Sequence, residues 1–264
     1  MPLSLSALCT EVGRLARDTG RQLKQEREMQ RPEAESKGSN DFVTRFDKQS
    51  EATLVKALSA LLPEAGFIAE EGTSSKRGER YNWVIDPIDG TTNFIHGLYP
   101  WCISLALMDG PEVVLGVVYE AGLDECFRAW KNGGAWLNEQ PIQVSKCQRV
   151  ADSLIATGFP YTNFGKMEQF MQSMDFFMKN SHGLRRLGSA AADLAYVACG
   201  RFDGFYEYDL KAWDVAAGAL LIKEAGGQVS DFSGGDNWLF GREVVSANAG
   251  IFKELQQRIE ELLN

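Results

Sequence analysis

The sequence predicts a layered fold that mixes α+β and α/β arrangements, and three observations predict it. The chain has 264 residues, 44% of them hydrophobic, which is enough for one large core or two closely packed ones. Strand-like runs follow one another at 101–108, 113–119, 125–130 and 142–145, as in an antiparallel sheet. Strands and helices then alternate in the second half, which is typical of an α/β layer.

In the first half, apolar spacing predicts two amphipathic helices, one starting near Leu5 and one that Asp47 precedes. The polar residues 31–40 between them contain Pro32 and Gly38 and predict an exposed loop. Residues 67–69 indicate a short strand and residues 83–85 a buried one. Residues 90–92 indicate a turn that opens a short helix.

In the second half, each strand precedes a helix. Strands at 153–157, 184–187 and 205–208 precede helices near 166–179, 189–199 and 213–225, and a last helix covers about 254–263. A soft boundary near Val150 divides the chain into an α+β part, 1–150, and an α/β part, 151–264.

The composition narrows the class of partner and the compartment. A net charge of −9 and a pI of about 4.9 argue against nucleic acid or an anionic membrane as the main partner. Five cysteines without a CxxC motif fit reduced thiols, and we expect a cytoplasmic protein. The first residues lack the pattern of a signal peptide, and the apolar stretches are too short to span a bilayer.

Carboxylates gather at the predicted element ends. Asp86 and Asp89 follow the buried strand 83–85, Glu70 follows the strand 67–69, and Asp214 begins an apolar helix. A surface turn could explain the first pair, and helix capping could explain Asp214. Taken together, these positions predict an oxygen cage for a hard divalent cation. Free N–H groups in the turn after Asp89 suggest a phosphate beside it, and so a metal-dependent phosphatase.

Three motifs resemble one known family. The segment 86–94, DPIDGTTNF, resembles the first signature of the inositol monophosphatase family. The segment 213–218, WDVAAG, continuing to EAGG at 224–227, resembles the second, and FIAEEG at 67–72 resembles its upstream acidic element. The resemblance covers nearly the whole chain. It implies a layered αβαβα sandwich of the sugar-phosphatase type, a homodimer, dependence on Mg2+ and inhibition by Li+.

The resemblance also implies roles for individual residues. The metal ligands are Glu70, Asp86, the carbonyl of Ile88, Asp89 and Asp214, with Asp86 bridging two Mg2+ ions. The backbone N–H groups of Gly90 and Thr91 bind phosphate, and Thr91, paired with Asp47, orients the attacking water. On the substrate side the implied residues are Gly188, Ser189, Ala190, Glu207 and Arg185. Lys37, in the loop before Asp41, reaches the site in a closed state.

Several readings stay open on the residues alone. Glu207 could instead be a solvated strand end, and Arg185 could form a surface pair with Arg186. The implied substrate is a small phosphorylated polyol or sugar, with inositol monophosphate first. Fructose-1,6-bisphosphate, histidinol phosphate and 3'-phosphoadenosine 5'-phosphate are alternatives. An alternative of another class is a non-catalytic regulator that binds phosphate.

Overall fold

Two β-sheets alternate with three layers of helices. A computed structural model of the protein describes residues 3–30, 32–38 and 41–264, and for residues 34–38 and 41–42 it describes the backbone alone. The helices are α1 (Leu5–Met29), α2 (Arg45–Leu61), α3 (Thr91–His96), α4 (Met167–Asn180), α5 (Ala190–Ala198), α6 (Ala212–Glu224) and α7 (Phe252–Leu263), with a 3-10 turn at Val150–Asp152.

The strands are β1 (Ala34–Gly38), β2 (Asp41–Thr44), β3 (Gly66–Ala69), β4 (Tyr81–Asp89), β5 (Cys102–Asp109), β6 (Glu112–Glu120), β7 (Glu125–Trp130), β8 (Ala135–Leu137), β9 (Gln140–Ile142), β10 (Leu154–Thr157), β11 (Gly183–Arg185), β12 (Gly204–Tyr208), β13 (Gln228–Ser230) and β14 (Glu243–Ala247). Strands β1 and β2 pair with each other in a small antiparallel ladder.

The first sheet has seven strands in the order β3-β4-β5-β6-β7-β8-β9. Its strands are antiparallel except for the parallel pair β3 and β4. Alternation along β4 sends Trp83 and Ile85 into a core with α1 and α2, and Val84 into a core with α5 and α6. Both faces of the sheet are therefore covered by helices, which explains the continuous apolar runs in its sequence.

The second sheet has five strands in the order β11-β10-β12-β14-β13. Strand β10 is parallel to β11 and β12, whereas β14 is antiparallel to β12 and β13. Phe205 packs towards α5 and α6, and its neighbour Tyr206 packs with Phe170 of α4 and Leu255 of α7. The layers are thus α1/α2, sheet, α5/α6, sheet, α4/α7, and the predicted αβαβα sandwich is confirmed.

Some local predictions were wrong. The segment 31–40 contains strand β1, whose backbone pairing with β2 needs no apolar alternation; Arg31, Ser39 and Asn40 lie outside the described residues. The strand predicted at 142–145 ends at Ile142, and β8, β13 and β14 were not predicted. Strands of three residues, such as β8 and β13, carry too few alternating positions to leave a pattern.

The division of the chain near Val150 stays a prediction.

None of the helices in the described part of the chain combines the length and the apolar composition that crossing a bilayer requires.

Candidate active site

A bulge in β4 brings two carboxylates to one face of the first sheet. Asp86 pairs with Ser104 and Asp89 with Cys102, so β4 has one more residue than β5 between these pairs. Along a regular strand, residues three apart point to opposite faces. The extra residue returns both carboxylates to the same face. Pro87, which has no N–H to donate to a ladder, lies within the bulge.

Asp214 reaches the same place from the first turn of α6. Its Oδ2 accepts the backbone N–H of Lys211 at 2.6 Å, so the carboxylate also caps the helix. The Ser104 hydroxyl donates to the carbonyl of Trp213 at 3.0 Å and ties the start of α6 to β5. Because Ser104 faces Asp86 across the strand pair, this hydrogen bond brings the helix to the bulge.

Asp86, Asp89 and Asp214 form a cluster that could hold a metal ion. One carboxylate oxygen from each lies within 4.8 Å of the other two. Burial raises the pKa of Asp86 well above its ordinary value, and the charges of Glu70, Asp89 and Asp214 raise it further. Burial also raises the pKa of Asp214, with Asp89 adding to the shift. Oxygen donors that repel one another in this way fit a hard divalent cation, which removes the repulsion.

The loop after Glu70 is held by a buried carboxylate of α2. The Glu70 N–H donates to the carbonyl of Ile85 at 3.2 Å and places the residue beside β4. Glu51, which is fully buried, accepts the N–H of Glu71 at 2.7 Å. It also accepts the N–H of Thr73 at 2.8 Å and its hydroxyl at 2.7 Å. These contacts position the backbone that carries Glu70.

The Thr91 hydroxyl lies between two acceptors. Its Oγ1 is 3.2 Å from Oδ1 of Asp47 and 2.9 Å from the carbonyl oxygen of Ile88. The other carboxylate oxygen of Asp47 accepts the N–H and the hydroxyl of Thr44 at 2.8 and 2.6 Å. Asp47 is thus the third residue of α2, where it completes a capping box with the N-cap Thr44, rather than a residue before the helix. With its proton donated to an acceptor, the Thr91 hydroxyl keeps lone pairs for an incoming donor.

Gly90 turns the chain from β4 into α3 with a left-handed backbone, at φ +90°. A Cβ at this position would lie 3.0 Å from the carbonyl oxygen of Gly188 and 3.2 Å from that of Pro100. This close approach places the residues before α5 next to the start of α3. The first N–H groups of α3 have no partner within the helix and are available to a ligand there.

Asp89 also receives hydrogen bonds from the start of α5. The Ser189 hydroxyl donates to Oδ2 of Asp89 at 2.5 Å, and the N–H of Ala191 donates to the same oxygen at 2.8 Å. Burial raises the pKa of Asp89 to about 6, and these hydrogen bonds oppose the rise. Ser189, which was predicted to lie on the substrate side, is therefore also hydrogen-bonded to a predicted metal ligand.

Glu207 and Arg185 have different surroundings. Glu207 is 6% exposed within β12, which excludes the solvated strand end. A Cβ at Gly158 would lie 2.0 Å from the Glu207 carboxyl group, so the chain passes directly against it. Arg185 is exposed and its Nη1 donates to the carbonyl of Leu184 at 2.8 Å. Burial raises the pKa of Glu207 well above its ordinary value, with nearby carboxyls adding to the shift.

One cavity of about 270 Å3 joins these groups. Its walls include every predicted site residue except Asp47, which contacts Thr91 instead, and Arg185. The predicted residues in the walls are Glu70, Asp86, Ile88, Asp89, Gly90, Thr91, Gly188, Ser189, Ala190, Glu207 and Asp214. The side chain of Lys37 lies outside the described residues.

The sequence reasoning missed several residues of the site. Glu51 had a signal, because it stands three residues before Leu54 on the apolar face of α2, where a carboxylate is unusual. Asp193 had the same signal, as an acid in the apolar helix α5. Ser104 had none, since a serine in a buried strand suggests no ligand by itself. The unpredicted residues of the cavity wall include Phe159, Tyr161, Asp193, Lys211 and Arg242.

Comparison with known proteins decides the family. A family model described as "Inositol monophosphatase family" matches residues 6–264. The chain belongs to this family. Membership confirms the predicted resemblance and makes the protein a phosphatase, a phosphoric monoester hydrolase.

Relatives within the inositol monophosphatase family carry two kinds of name. "Inositol-1-monophosphatase" of Mesorhizobium japonicum is 38% identical over 264 residues, 99% of both chains. "Nus factor SuhB" of Escherichia coli is 39% identical over 233 residues, 88% of this chain and 87% of the relative. The crystal structure of extragenic suppressor protein suhB from Bartonella henselae matches with a TM-score of 0.90 and 36% identity, over 97% of this chain and 99% of that one.

Proposed function

We propose that the protein hydrolyses a small phosphorylated polyol with Mg2+ as its cofactor, and that inositol monophosphate is the substrate. The observation that carries the proposal is the cluster of Asp86, Asp89 and Asp214, which shares a cavity with Thr91 and Glu207. The relative in Mesorhizobium japonicum, named as an inositol-1-monophosphatase, supports the choice of substrate.

The metal ligands in this proposal are Glu70, Asp86, the carbonyl of Ile88, Asp89 and Asp214. All offer oxygen atoms, which are the donors that Mg2+ prefers. When bound, Mg2+ ions lower the pKa of a water molecule and neutralise charge on the phosphate and the leaving oxygen. The residues of the chain orient the water and hold the substrate.

Water orientation falls to Thr91 and Asp47. The Asp47 carboxylate accepts a hydrogen bond from the Thr91 hydroxyl at 3.2 Å, which leaves the lone pairs of Oγ1 to accept a hydrogen bond from water. Asp47 stays in place because Thr44 holds its second oxygen with two hydrogen bonds. The hydroxyl thereby directs the oxygen of the water towards phosphorus, and its effect belongs to the transition state.

Binding of the substrate uses both sides of the cavity. The N–H groups of Gly90 and Thr91, at the start of α3, donate to the phosphate oxygens. Glu207 accepts hydrogen bonds from hydroxyls of the polyol, and Gly188, Ser189 and Ala190 line the wall beside it. Arg185 is exposed and has no part in this arrangement.

Further properties belong to the same proposal. Li+ inhibits the enzyme and the active form is a homodimer, as in the family that the motifs resemble. A cytoplasmic location fits the five cysteines, which are all free thiols in this structure. Neither nucleic acid nor membrane is proposed as a partner, given the net charge of −9.

The experiment is phosphate release from a panel of esters, scored as kcat/KM with Mg2+ and with a chelator in its place. The panel contains myo-inositol 1-phosphate, fructose 1,6-bisphosphate, histidinol phosphate and 3'-phosphoadenosine 5'-phosphate. The proposal requires turnover that needs Mg2+ and is highest for the inositol ester. A higher kcat/KM for another ester would change the proposed substrate but would leave the proposed Mg2+-dependent hydrolysis intact.

A non-catalytic role is the second candidate, because the Escherichia coli relative at 39% identity is named a Nus factor. A binding protein has no need of a water-orienting pair, and the Thr91–Asp47 contact therefore favours the enzyme. The same panel separates the two roles. Binding of myo-inositol 1-phosphate without release of phosphate from any ester supports the non-catalytic role.

A further inference from the structure

Asp193 is a buried carboxyl that the proposed chemistry does not use. It lies in α5 and is 1% exposed, and its Oδ1 has no hydrogen-bond partner. The alanines before it in the helix, Ala190 to Ala192, offer no polar side chain. Asp193 nevertheless belongs to the wall of the cavity. Asp193 thus lines the cavity while one of its buried oxygens has no protein partner, which costs free energy unless a ligand or a water supplies one.

The position of Asp193 along α5 relates it to the site. Its backbone N–H donates to the carbonyl of Ser189 at 3.0 Å, which places it one helical turn beyond the residue that binds Asp89. Residues four apart lie on one face of a helix. Ser189 is the N-cap of α5 and contacts Asp89, and Asp193 lies one turn further along the helix.

A second buried carboxyl, Glu207, lines the same cavity. Burial is the main cause that raises the pKa of Asp193 and of Glu207, and the charge of Asp193 raises that of Glu207 further. Both carboxyls belong to the lining of the one cavity. Two carboxyls at the polyol side offer acceptors, and a protonated one also offers a donor.

The cation whose charge acts on Asp193 is engaged elsewhere. Arg186 interacts with the charge of Asp193, but its Nη2 donates to the hydroxyl of Tyr161 at 2.6 Å. The Nε of Arg186 is also buried without a partner. One acceptor, Oδ1 of Asp193, and one donor, Nε of Arg186, thus remain without protein partners. A ligand hydroxyl can donate to the first because every hydroxyl carries one proton.

We propose that Asp193 determines specificity by accepting a hydrogen bond from a ring hydroxyl of the polyol phosphate, together with Glu207. The proposal rests on the function proposed above and adds a residue to its substrate side. It predicts that the enzyme prefers a ring with hydroxyls over the same ring without them, and that this preference needs the Asp193 carboxylate.

The test compares two esters that share a six-membered ring, myo-inositol 1-phosphate and cyclohexyl phosphate. For Asp193→Asn at saturating Mg2+, the ratio of their kcat/KM values falls by about 2- to 10-fold, as the weakening of one hydrogen bond to the ring predicts. The fall lies mainly in KM for the inositol ester. Asp236→Asn, which changes an exposed aspartate, is the matched control and keeps the wild-type ratio.

A second variant and a binding measurement keep the outcome clear. Asp193→Ala lowers the ratio at least as far as Asp193→Asn, because it removes the acceptor altogether. Binding of myo-inositol, followed by ligand-observed NMR, weakens in both variants by a similar factor. This binding measurement needs no turnover. If the protein releases no phosphate from any ester, the proposed function fails, but the NMR comparison still tests the role of Asp193.

Two results overturn the proposal. Equal losses on both esters mean that Asp193 supports α5 and the Ser189 contact instead of the substrate. An unchanged ratio together with unchanged inositol binding means that a water molecule, and not the substrate, is the partner of Asp193 both with and without substrate bound.

Discussion

The hydroxyl of Ser189 donates a 2.5 Å hydrogen bond to the carboxylate of Asp89, a residue 100 positions earlier in the chain. Asp89 ends strand β4 of the first sheet, and Ser189 precedes helix α5 of the middle layer. The contact therefore joins the proposed metal cluster to the wall on which the substrate side is built. We therefore expect a substitution at Ser189 to affect metal binding before it affects substrate binding.

Ser189→Ala is expected to weaken metal binding. The carboxylate of Asp89 keeps the N–H of Ala191 but loses the hydroxyl, so its charged form is less stabilised. We expect the Mg2+ concentration for half-maximal activity to rise about 10-fold or more, the usual effect of losing a partner of a metal ligand. Activity at a series of Mg2+ concentrations measures this. Ser6→Ala, an exposed serine of α1, is the control, and an unchanged Mg2+ requirement in Ser189→Ala contradicts the prediction.

Thr91→Ala is expected to lower kcat more than it changes KM. A hydroxyl that orients water contributes mainly in the transition state. The expected loss is about 10²-fold or more in kcat, in the range of general acid–base contributions. Thr91→Ser recovers much of the rate, because it keeps the hydroxyl that contacts Asp47. Steady-state kinetics on one ester measures both constants, with the exposed Thr53→Ala as control. A rise in KM alone reassigns Thr91 to phosphate binding.

Glu51→Gln is expected to act at a distance from the ligands. The carboxylate accepts three hydrogen bonds, from the N–H of Glu71 and from the N–H and the hydroxyl of Thr73. An amide leaves one donor facing an N–H, which costs about 1–3 kcal/mol of unfolding free energy. The Mg2+ requirement also rises, because the loop after Glu70 loosens. Urea unfolding and a Mg2+ titration measure the two effects, with Glu28→Gln as the exposed control. Wild-type values in both measurements would remove Glu51 from the site.

Glu51, which was not predicted from the sequence, shows the limit of what the sequence predicts. The sandwich was predictable because its strands and helices are long and apolar and because the motifs at 67–72, 86–94 and 213–227 resemble one family. The contacts that build the site were not predictable locally. Ser104 meets Trp213 across 109 positions, and only the fold brings them together. Asp193 stands out as an acid in an apolar helix, but most of the cavity that it lines is formed by other elements, which the sequence does not bring together.

The acidic cluster is expected to make the metal-free protein less stable as pH rises. Burial raises the pKa of Asp89 from 3.8 to about 6 and that of Asp86 well above its ordinary value. Groups with a raised folded pKa contribute stability that is full below their unfolded pKa of about 4 and is lost as pH rises through the folded values. The melting temperature of metal-free wild type should therefore fall, relative to Asp86→Asn, as pH rises from about 4 to beyond about 6.

Mg2+ should reverse that trend. A cation binds the charged carboxylates, so its stabilisation grows as they lose protons. Thermal unfolding at several pH values, with Mg2+ or with a chelator, measures both effects in wild type and in Asp86→Asn. Identical pH profiles for the two metal-free proteins would mean that the cluster is not strained by its own charge.

The central claim is that Asp86 and Asp214 hold the cation on which phosphate hydrolysis depends. Its most direct measurement is phosphate release from myo-inositol 1-phosphate by wild type, Asp86→Asn and Asp214→Asn while Mg2+ is titrated, with circular dichroism to verify the fold. We predict that wild type is active only with Mg2+, and that both folded variants lose most activity at every Mg2+ concentration. Near-normal, Mg2+-dependent turnover in either variant would contradict the account.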